Sequence, residues 1–156
     1  MQEADSNPTR PRRVLIVEDS PDRQKLLTNL YRGHAWVLVN TAGRARTLLS
    51  AFTFDLISLD YDLAGGEKGD AVAESIAASS SAGALVIVHS MNAAGAGRIR
   101  AVLPEAVAVP ISKMTRDNAT FRRLQEQLGS GASIHWAAVL RRHTWPCLAY
   151  TSDAGD

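Results

Sequence analysis

Three carboxylates, one hydroxyl and one ammonium group follow short apolar segments of the sequence. They belong to Glu18, Asp19, Asp60, Ser90 and Lys113. If the fold brings the carboxylates together, they repel one another and need a cation to stay ionised. An all-oxygen set of this kind suits Mg²⁺, while the serine and the lysine can hold the oxygens of a phosphoryl group. The five residues therefore predict Mg²⁺-dependent phosphoryl transfer with Asp60 as the nucleophile.

The apolar segments that precede these residues alternate with segments of helical periodicity. Apolar and β-branched runs predict strands at residues 14–17, 36–39, 55–59, 84–88 and 107–111. This alternation predicts an α/β fold in which helices cover both faces of a five-stranded parallel sheet, a doubly wound architecture. Ligands bind at the carboxyl ends of the strands in such sheets, so we expect the polar residues to share one edge.

The same pattern divides the chain into one domain and two terminal segments. Residues 1–12 are polar, contain two prolines and are predicted to form a disordered tail. Residues 13–129 hold the five strand-helix pairs and form the domain. Residues 130–156 follow a break rich in glycine and serine, and they form a C-terminal extension.

The C-terminal extension carries an apolar stripe at the spacing of a short helix. The stripe consists of Ile134, Ala137, Ala138 and Leu140, with Trp136 and Trp145 beside it. Leaving this stripe and two tryptophans in water would be unfavourable. We therefore expect a short helix that packs on its own domain, with homodimerisation through the same surface as the alternative.

The composition excludes several classes of function. Seventeen Lys and Arg residues against sixteen Asp and Glu residues give a formal net charge of +1, so no global field attracts nucleic acid or a membrane surface. No apolar run approaches the roughly 20 residues of a membrane-spanning helix. Cys147 is the only cysteine and can form no intramolecular disulfide, and no secretion signal is evident. We expect a cytoplasmic protein that binds neither nucleic acid nor membrane.

Four stretches of the sequence resemble the signature stretches of response-regulator receiver domains. They end in Glu18 and Asp19, in Asp60, in Ser90 and in Lys113. Their separations are also family-like, with 41 residues from Asp19 to Asp60, 30 more to Ser90 and 23 more to Lys113. The resemblance covers nearly the whole predicted domain. It implies a flavodoxin-like fold with strand order 2-1-3-4-5.

The resemblance also implies a role for each residue. It assigns a magnesium ion to Glu18, Asp19, Asp60 and, through its backbone carbonyl, Asp62. It assigns phosphorylation to Asp60, and contact with the phosphoryl group to Ser90 and Lys113. The implied protein is a stand-alone receiver that a histidine kinase or phosphotransfer protein phosphorylates. Its output would pass through protein contacts, because too few residues follow position 128 for an effector domain.

A second resemblance keeps another function open. The stretches that contain Asp60, Asp62, His89 and Asn92 are similar to a divergent receiver-like group proposed to process cyclic phosphates, although Tyr61 stands where that group usually has a histidine. This resemblance implies a metal-dependent phosphoesterase in which Asp62, His89 or Asn92 manages water and protons. Taken alone, a histidine such as His89 more often has a hydrogen-bonded structural role. A pseudo-receiver that no longer transfers phosphate is the third hypothesis.

Overall fold

Five short strands form one parallel sheet at the centre of the molecule. The structure is a computed structural model that describes residues 11–131 and 133–141. The strands are β1 (Arg13–Val17), β2 (Ala35–Val39), β3 (Leu56–Leu59), β4 (Leu85–Val88) and β5 (Val107–Ala108). Their order across the sheet is β2-β1-β3-β4-β5, and all four neighbouring pairs are parallel. The predicted α/β fold, strand number and strand order are confirmed.

Helices cover both faces of the sheet, because each connection between parallel strands crosses over one face. They are α1 (Pro21–Leu30), α2 (Ala42–Ala51), α3 (Gly69–Ala77), α4 (Ala93–Val102), α5 (Ile111–Met114), α6 (Asn118–Gly129) and α7 (Trp136–Leu140). Alternate residues of β1 face two hydrophobic clusters: Val14 and Ile16 pack with α1 and α6, while Leu15 and Val17 pack with α2, α3 and α4. Within the described ranges, no helix is long and apolar enough to cross a membrane.

Side-chain caps fix the starts of three helices. Thr41, Asn92 and Asp117 each accept a hydrogen bond from the backbone N–H three residues further on, at the first turns of α2, α4 and α6. Helix α1 begins differently, with Ser20 at the cap position and Pro21 as its first residue. The cap on α4 matters for function, because Asn92 stands two residues after Ser90 at the edge of the sheet.

The fifth strand is shorter than predicted. The sequence predicted a strand over residues 107–111, but β5 contains only Val107 and Ala108, and α5 begins at Ile111. Pro110 has no N–H to continue the ladder, and it takes the cap position of α5. The prediction of a strand up to residue 111 was therefore wrong. As a consequence, Lys113 lies on a one-turn helix instead of following a strand.

The C-terminal segment packs on the domain, as predicted for an intramolecular contact. Val139 is fully buried in the cluster that contains α1 and α6, and Arg123 of α6 donates hydrogen bonds to the carbonyl of Val139 at 3.0 and 3.2 Å. The predicted stripe was wrong in detail, because Ala137 is exposed and Val139 is the buried residue. A five-residue helix makes just over one turn, so one misplaced position exchanges the two faces. Trp145 lies outside the described residues.

Candidate functional site

The acidic residues follow β1 and β3, two neighbouring inner strands of the sheet. Val17 of β1 pairs with Leu59 of β3, so Glu18 and Asp60, which come next, leave the sheet side by side. Glu18 is fully buried and Asp60 is 3% exposed, whereas the side chain of Asp19 is 31% exposed. The structure thus brings together the three carboxylates that the sequence predicted for the site.

An arginine that the sequence analysis did not select lies between these carboxylates. Nη2 of Arg23 lies 3.4 Å from Oδ2 of Asp60 and 3.9 Å from Oδ1 of Asp19. The same atom lies 3.2 Å from Oε2 of Glu18, and Nε of Arg23 lies 2.8 Å from Oε1 of Glu18. A signal was present in the sequence, because Arg23 follows Asp19 by four residues at the start of a helix, a spacing that brings side chains together. The chain itself supplies one positive charge to the carboxylates.

Glu18 uses both carboxylate oxygens in short contacts. Oε1 accepts a hydrogen bond from Arg23 and lies 3.1 Å from Nε2 of His89. Oε2 accepts hydrogen bonds from the backbone N–H groups of Asp19 and Ser20 at 2.9 and 3.0 Å. Burial alone would raise the pKa of Glu18, but the hydrogen bonds from His89 and Arg23 outweigh it and hold this pKa well below its usual range. Glu18 is therefore ionised although it is buried, and it holds Arg23 and His89 in place.

His89 lies behind Glu18 in the interior of the sheet. Its Nδ1 lies 2.9 Å from Oγ of Ser58 on β3, and the side chains of Ser58, His89 and Glu18 are all fully buried. A histidine without exposed atoms cannot touch a substrate here, so it orients Glu18 instead. The sequence analysis missed Ser58, because a single serine in an apolar strand has no distinctive pattern.

Asp60 stands next to the buried series formed by Ser58, His89 and Glu18. Its Oδ1 accepts a hydrogen bond from the backbone N–H of Tyr61 at 2.8 Å. Burial and the negative charge of Glu18 raise the pKa of Asp60, and the neighbouring His89 and Ser90 offset this only in part. A cation beside Asp60 would therefore favour its ionised form.

Ser90 and Lys113 line one surface depression beside α4. Ser90 is 4% exposed, whereas Lys113 is exposed on α5. The ammonium group of Lys113 forms no hydrogen bond or ion pair with the residues that the structure describes, so it can meet a ligand. The predicted serine and lysine therefore line the same depression, although Lys113 makes no ion pair with Asp60.

A second polar pair stands at the outer edge of the site. Nδ2 of Asn92 donates a hydrogen bond to Oδ2 of Asp62 at 3.2 Å, while Oδ1 of Asn92 caps α4. Asp62 is exposed and stands two residues after Asp60. Because Asn92 is fixed by the helix cap, it also fixes the direction of the Asp62 carboxylate.

The side chain of Tyr61 packs against α4. A Cβ atom on Gly95 would overlap the Tyr61 ring, so only glycine fits at that position of α4. Nη1 of Arg98 donates a hydrogen bond to Oη of Tyr61 at 3.0 Å. These contacts tie the backbone next to Asp60 to the first two turns of α4.

The donor set fits a divalent cation bound through oxygen. When Glu18, Asp19 and Asp60 are all ionised, the single charge of Arg23 leaves an excess of two negative charges. Ligand atoms of Glu18, Asp60 and His89 lie within 4.8 Å of one another, which is close enough for one ion. Glu18, which the sequence also predicted as a ligand, is fully buried and bonded to His89, whereas Asp19 and Asp60 keep exposed surface and are the carboxylates that an ion would reach. Carboxylate oxygens at such a site suit Mg²⁺.

Several solved receiver domains and response regulators have the same fold. The receiver domain of HemR from Leptospira biflexa is 22% identical, with a TM-score of 0.62 over 81% of this chain and 99% of that one. A receiver domain of a sensor histidine kinase from Pseudomonas aeruginosa, which holds a magnesium ion in its active-site cleft, is 21% identical, with a TM-score of 0.59 over 78% and 99%. The response regulator TrrA from Thermotoga maritima, bound to Mg²⁺ and BeF, is 21% identical, with a TM-score of 0.57 over 78% and 99%.

Sequence comparison defines the family more closely than these structures do. No curated protein sequence matches the chain. A family model described as the cyclic-phosphate processing receiver domain matches residues 13–105, which is more than half of the chain. The matched segment contains β1 to α4 and with them every site residue described above except Lys113. The chain therefore has the fold of the phosphoryl-accepting receivers, and it belongs to the cyclic-phosphate processing receiver domain family.

Proposed function

We propose that this chain is a metal-dependent phosphoesterase that opens a cyclic phosphate diester at the Asp60 site. Membership in the cyclic-phosphate processing receiver family supports this class of substrate. The sequence alone had favoured phosphorylation of Asp60, so the family match changes the order of the two hypotheses. The observation that carries the proposal is the exposed carboxylate of Asp62, which Asn92 orients at the edge of the site.

Opening a cyclic diester requires a group that takes a proton from water. Phosphorylation of Asp60 requires no such group, because the carboxylate itself attacks phosphorus. Glu18 and Asp60 are buried, whereas Asp62, two residues after Asp60, is exposed and accepts a hydrogen bond from Asn92 at 3.2 Å. Asp62 is therefore the carboxylate best suited to act as the general base.

The reaction adds one water molecule across one ester bond. The water oxygen bonds to phosphorus and its proton passes to Asp62, while the bond between phosphorus and one ring oxygen breaks. The released oxygen takes a proton from solvent, Asp62 returns its proton to solvent, and the product is a phosphomonoester beside a hydroxyl group. Ser90 and Lys113 hold the phosphate oxygens that take no part in bond breaking. Asp19, Asp60 and the backbone carbonyl of Asp62 would hold Mg²⁺, which supplies positive charge opposite the phosphate.

Exchange of Asp62 for asparagine tests the proposal. Asp62→Asn removes the general base but keeps the backbone carbonyl, so Mg²⁺ affinity should stay within about threefold of wild type. Hydrolysis of a nucleoside 2′,3′-cyclic phosphate, followed by ³¹P NMR, should fall by about 10²- to 10⁴-fold. Glu105→Gln is the matched control, because Glu105 is exposed in the turn before β5, at the opposite edge of the sheet. Equal rates in Asp62→Asn and wild type would contradict the role of Asp62.

A phosphoacceptor receiver is the second candidate, and one observation favours it. Asp60 lies next to Ser90, and the exposed ammonium group of Lys113 lines the same depression as Ser90. This is the set that could hold a phosphoryl group on Asp60. In that case a histidine kinase or phosphotransfer protein would supply the phosphoryl group, and the output would pass through protein contacts. Incubation with Mg²⁺ and acetyl phosphate, followed by intact-mass measurement, tests this candidate.

A further inference from the structure

Arg23 lies at the place where the three carboxylates of the site converge. Its Nη2 atom is 3.2 Å from Glu18, 3.4 Å from Asp60 and 3.9 Å from Asp19. The guanidinium group is half-buried, with 38% of the side chain exposed. One nitrogen atom of the chain thus lies within 4 Å of an oxygen atom of each of these three carboxylates.

A metal ion held by Asp19 and Asp60 would use the same two carboxylates that Nη2 of Arg23 contacts. Mg²⁺ binds carboxylate oxygen at about 2.1 Å, so it would share these carboxylates with the guanidinium group at short range. Like charges at this distance repel one another strongly in a partly buried site. The guanidinium group and the metal ion cannot both have their best contacts with Asp60.

Arg23 has a second anchor that a metal ion would leave intact. Its Nε donates to Oε1 of Glu18 at 2.8 Å, and this bond involves neither Asp60 nor Asp19. Glu18 itself stays in place through the backbone N–H groups of Asp19 and Ser20. Nη2 can therefore leave Asp60 while Nε keeps its bond to Glu18.

We propose that Arg23 is an internal cation that competes with the divalent metal ion for Asp60 and Asp19 and thereby sets the metal affinity of the site. The inference rests on the metal site of the proposed function but not on its substrate. When the metal ion binds, Asp60 and Asp19 contact the ion in place of Nη2 of Arg23. Arg23 lowers the metal affinity and offsets part of the negative charge of the metal-free site.

Calorimetric titration with Mg²⁺ in the absence of any phosphate compound tests the competition. Arg23→Gln should bind Mg²⁺ at least tenfold more tightly than wild type, because a positive charge beside the ion is gone. Arg23→Lys keeps the charge and should stay within about threefold of wild type. Arg46→Gln is the matched control, since Arg46 forms a surface ion pair with Glu67 at 2.7 Å and should leave the affinity unchanged. Equal or weaker Mg²⁺ binding in folded Arg23→Gln would overturn the proposal.

A second measurement uses the wild-type protein and needs no substitution. Saturating Mg²⁺ should shift the ¹⁵N–¹H resonance of Arg23 Nε more than that of Arg46 Nε, and equal shifts would also overturn the proposal. Hydrolysis is not measured in either experiment. A protein that gains metal affinity in Arg23→Gln but hydrolyses no cyclic phosphate would contradict the proposed function and leave this inference standing.

Discussion

Nε2 of His89 lies 3.1 Å from Oε1 of Glu18, and neither side chain has exposed surface. Ser58 lies 2.9 Å from the other ring nitrogen, so the imidazole ring is held on both sides. Hydrogen bonds of this kind fix the orientation of a ring and of the carboxylate next to it. The position of Arg23, and with it the environment of Asp60, depends on this buried pair.

Removal of the imidazole should destabilise the protein. His89→Ala leaves Glu18 with one partner fewer in a buried place and also creates a cavity, so the free energy of unfolding should fall by roughly 2 to 4 kcal/mol. Denaturation with guanidinium chloride in EDTA measures this without metal. His135→Ala is the control, because that side chain is exposed and the change should be under about 0.5 kcal/mol. Equal losses in the two variants would contradict a structural role for His89.

Two glycines of α4 should respond to alanine in opposite directions. Gly95→Ala places a Cβ atom against the Tyr61 ring and should lower the free energy of unfolding by about 1 to 3 kcal/mol. Gly97→Ala, two residues away, meets nothing within 4 Å and should raise it by roughly 0.5 to 1 kcal/mol, because alanine favours the helix. Thermal unfolding followed by circular dichroism compares the pair. The packing of Tyr61 on α4 is refuted if both substitutions stabilise the protein.

The sheet and the position of the acids were predictable, because both follow from local pattern. Continuous apolar runs predict buried parallel strands, and a residue that directly follows such a strand must lie at the carboxyl edge of the sheet. Glu18 and Asp60 were found in this way. The end of β5 was not predicted correctly. A run of valines and alanines around Pro110 has the composition of a strand, but the proline favours the start of a helix.

The contacts inside the site were harder to predict than its acids. The four-residue spacing brings Arg23 to Asp19, but its contact with Asp60 depends on the direction in which α1 leaves β1, which no local pattern specifies. Ser58 is recognisable only when β3 and β4 are paired, because its partner His89 is 31 residues away. Val139 was missed because a five-residue helix offers too few positions to define its buried face.

The cap of α6 should give the stability of the protein a measurable pH dependence. The backbone N–H of Thr120 donates to Asp117 at 2.6 Å and lowers the pKa of Asp117 from its usual range. A lowered pKa means that the cap stabilises the fold above the pKa of the unfolded chain, about 3.9, and loses this effect as pH falls through the folded-state pKa. The side chain in Asp117→Asn can still accept the hydrogen bond from the backbone N–H of Thr120, but it has no carboxyl group that titrates. Its stability deficit relative to wild type should be present at pH 7 and shrink toward pH 3 in urea titrations, and a deficit independent of pH would contradict the assignment.

The C-terminal segment should contribute to stability through Val139. Val139→Ala removes two buried carbon atoms and should lower the free energy of unfolding by roughly 2 kcal/mol. Ala137→Ser, on the exposed face of the same helix, should change it by less than about 0.5 kcal/mol. Light scattering should give the same mass for both variants and wild type, because the contact is intramolecular. A smaller mass for Val139→Ala alone would indicate an interface between two copies instead.

The central claim is that the Asp60 site opens cyclic phosphates. The most direct measurement is ³¹P NMR of a nucleoside 2′,3′-cyclic phosphate incubated with the protein and Mg²⁺, in parallel with Asp60→Asn. Conversion to a phosphomonoester by wild type, and none by Asp60→Asn, is the predicted result. An unchanged cyclic phosphate, together with the mass of one added phosphoryl group on wild type after treatment with acetyl phosphate, would contradict the claim and favour the phosphoacceptor receiver.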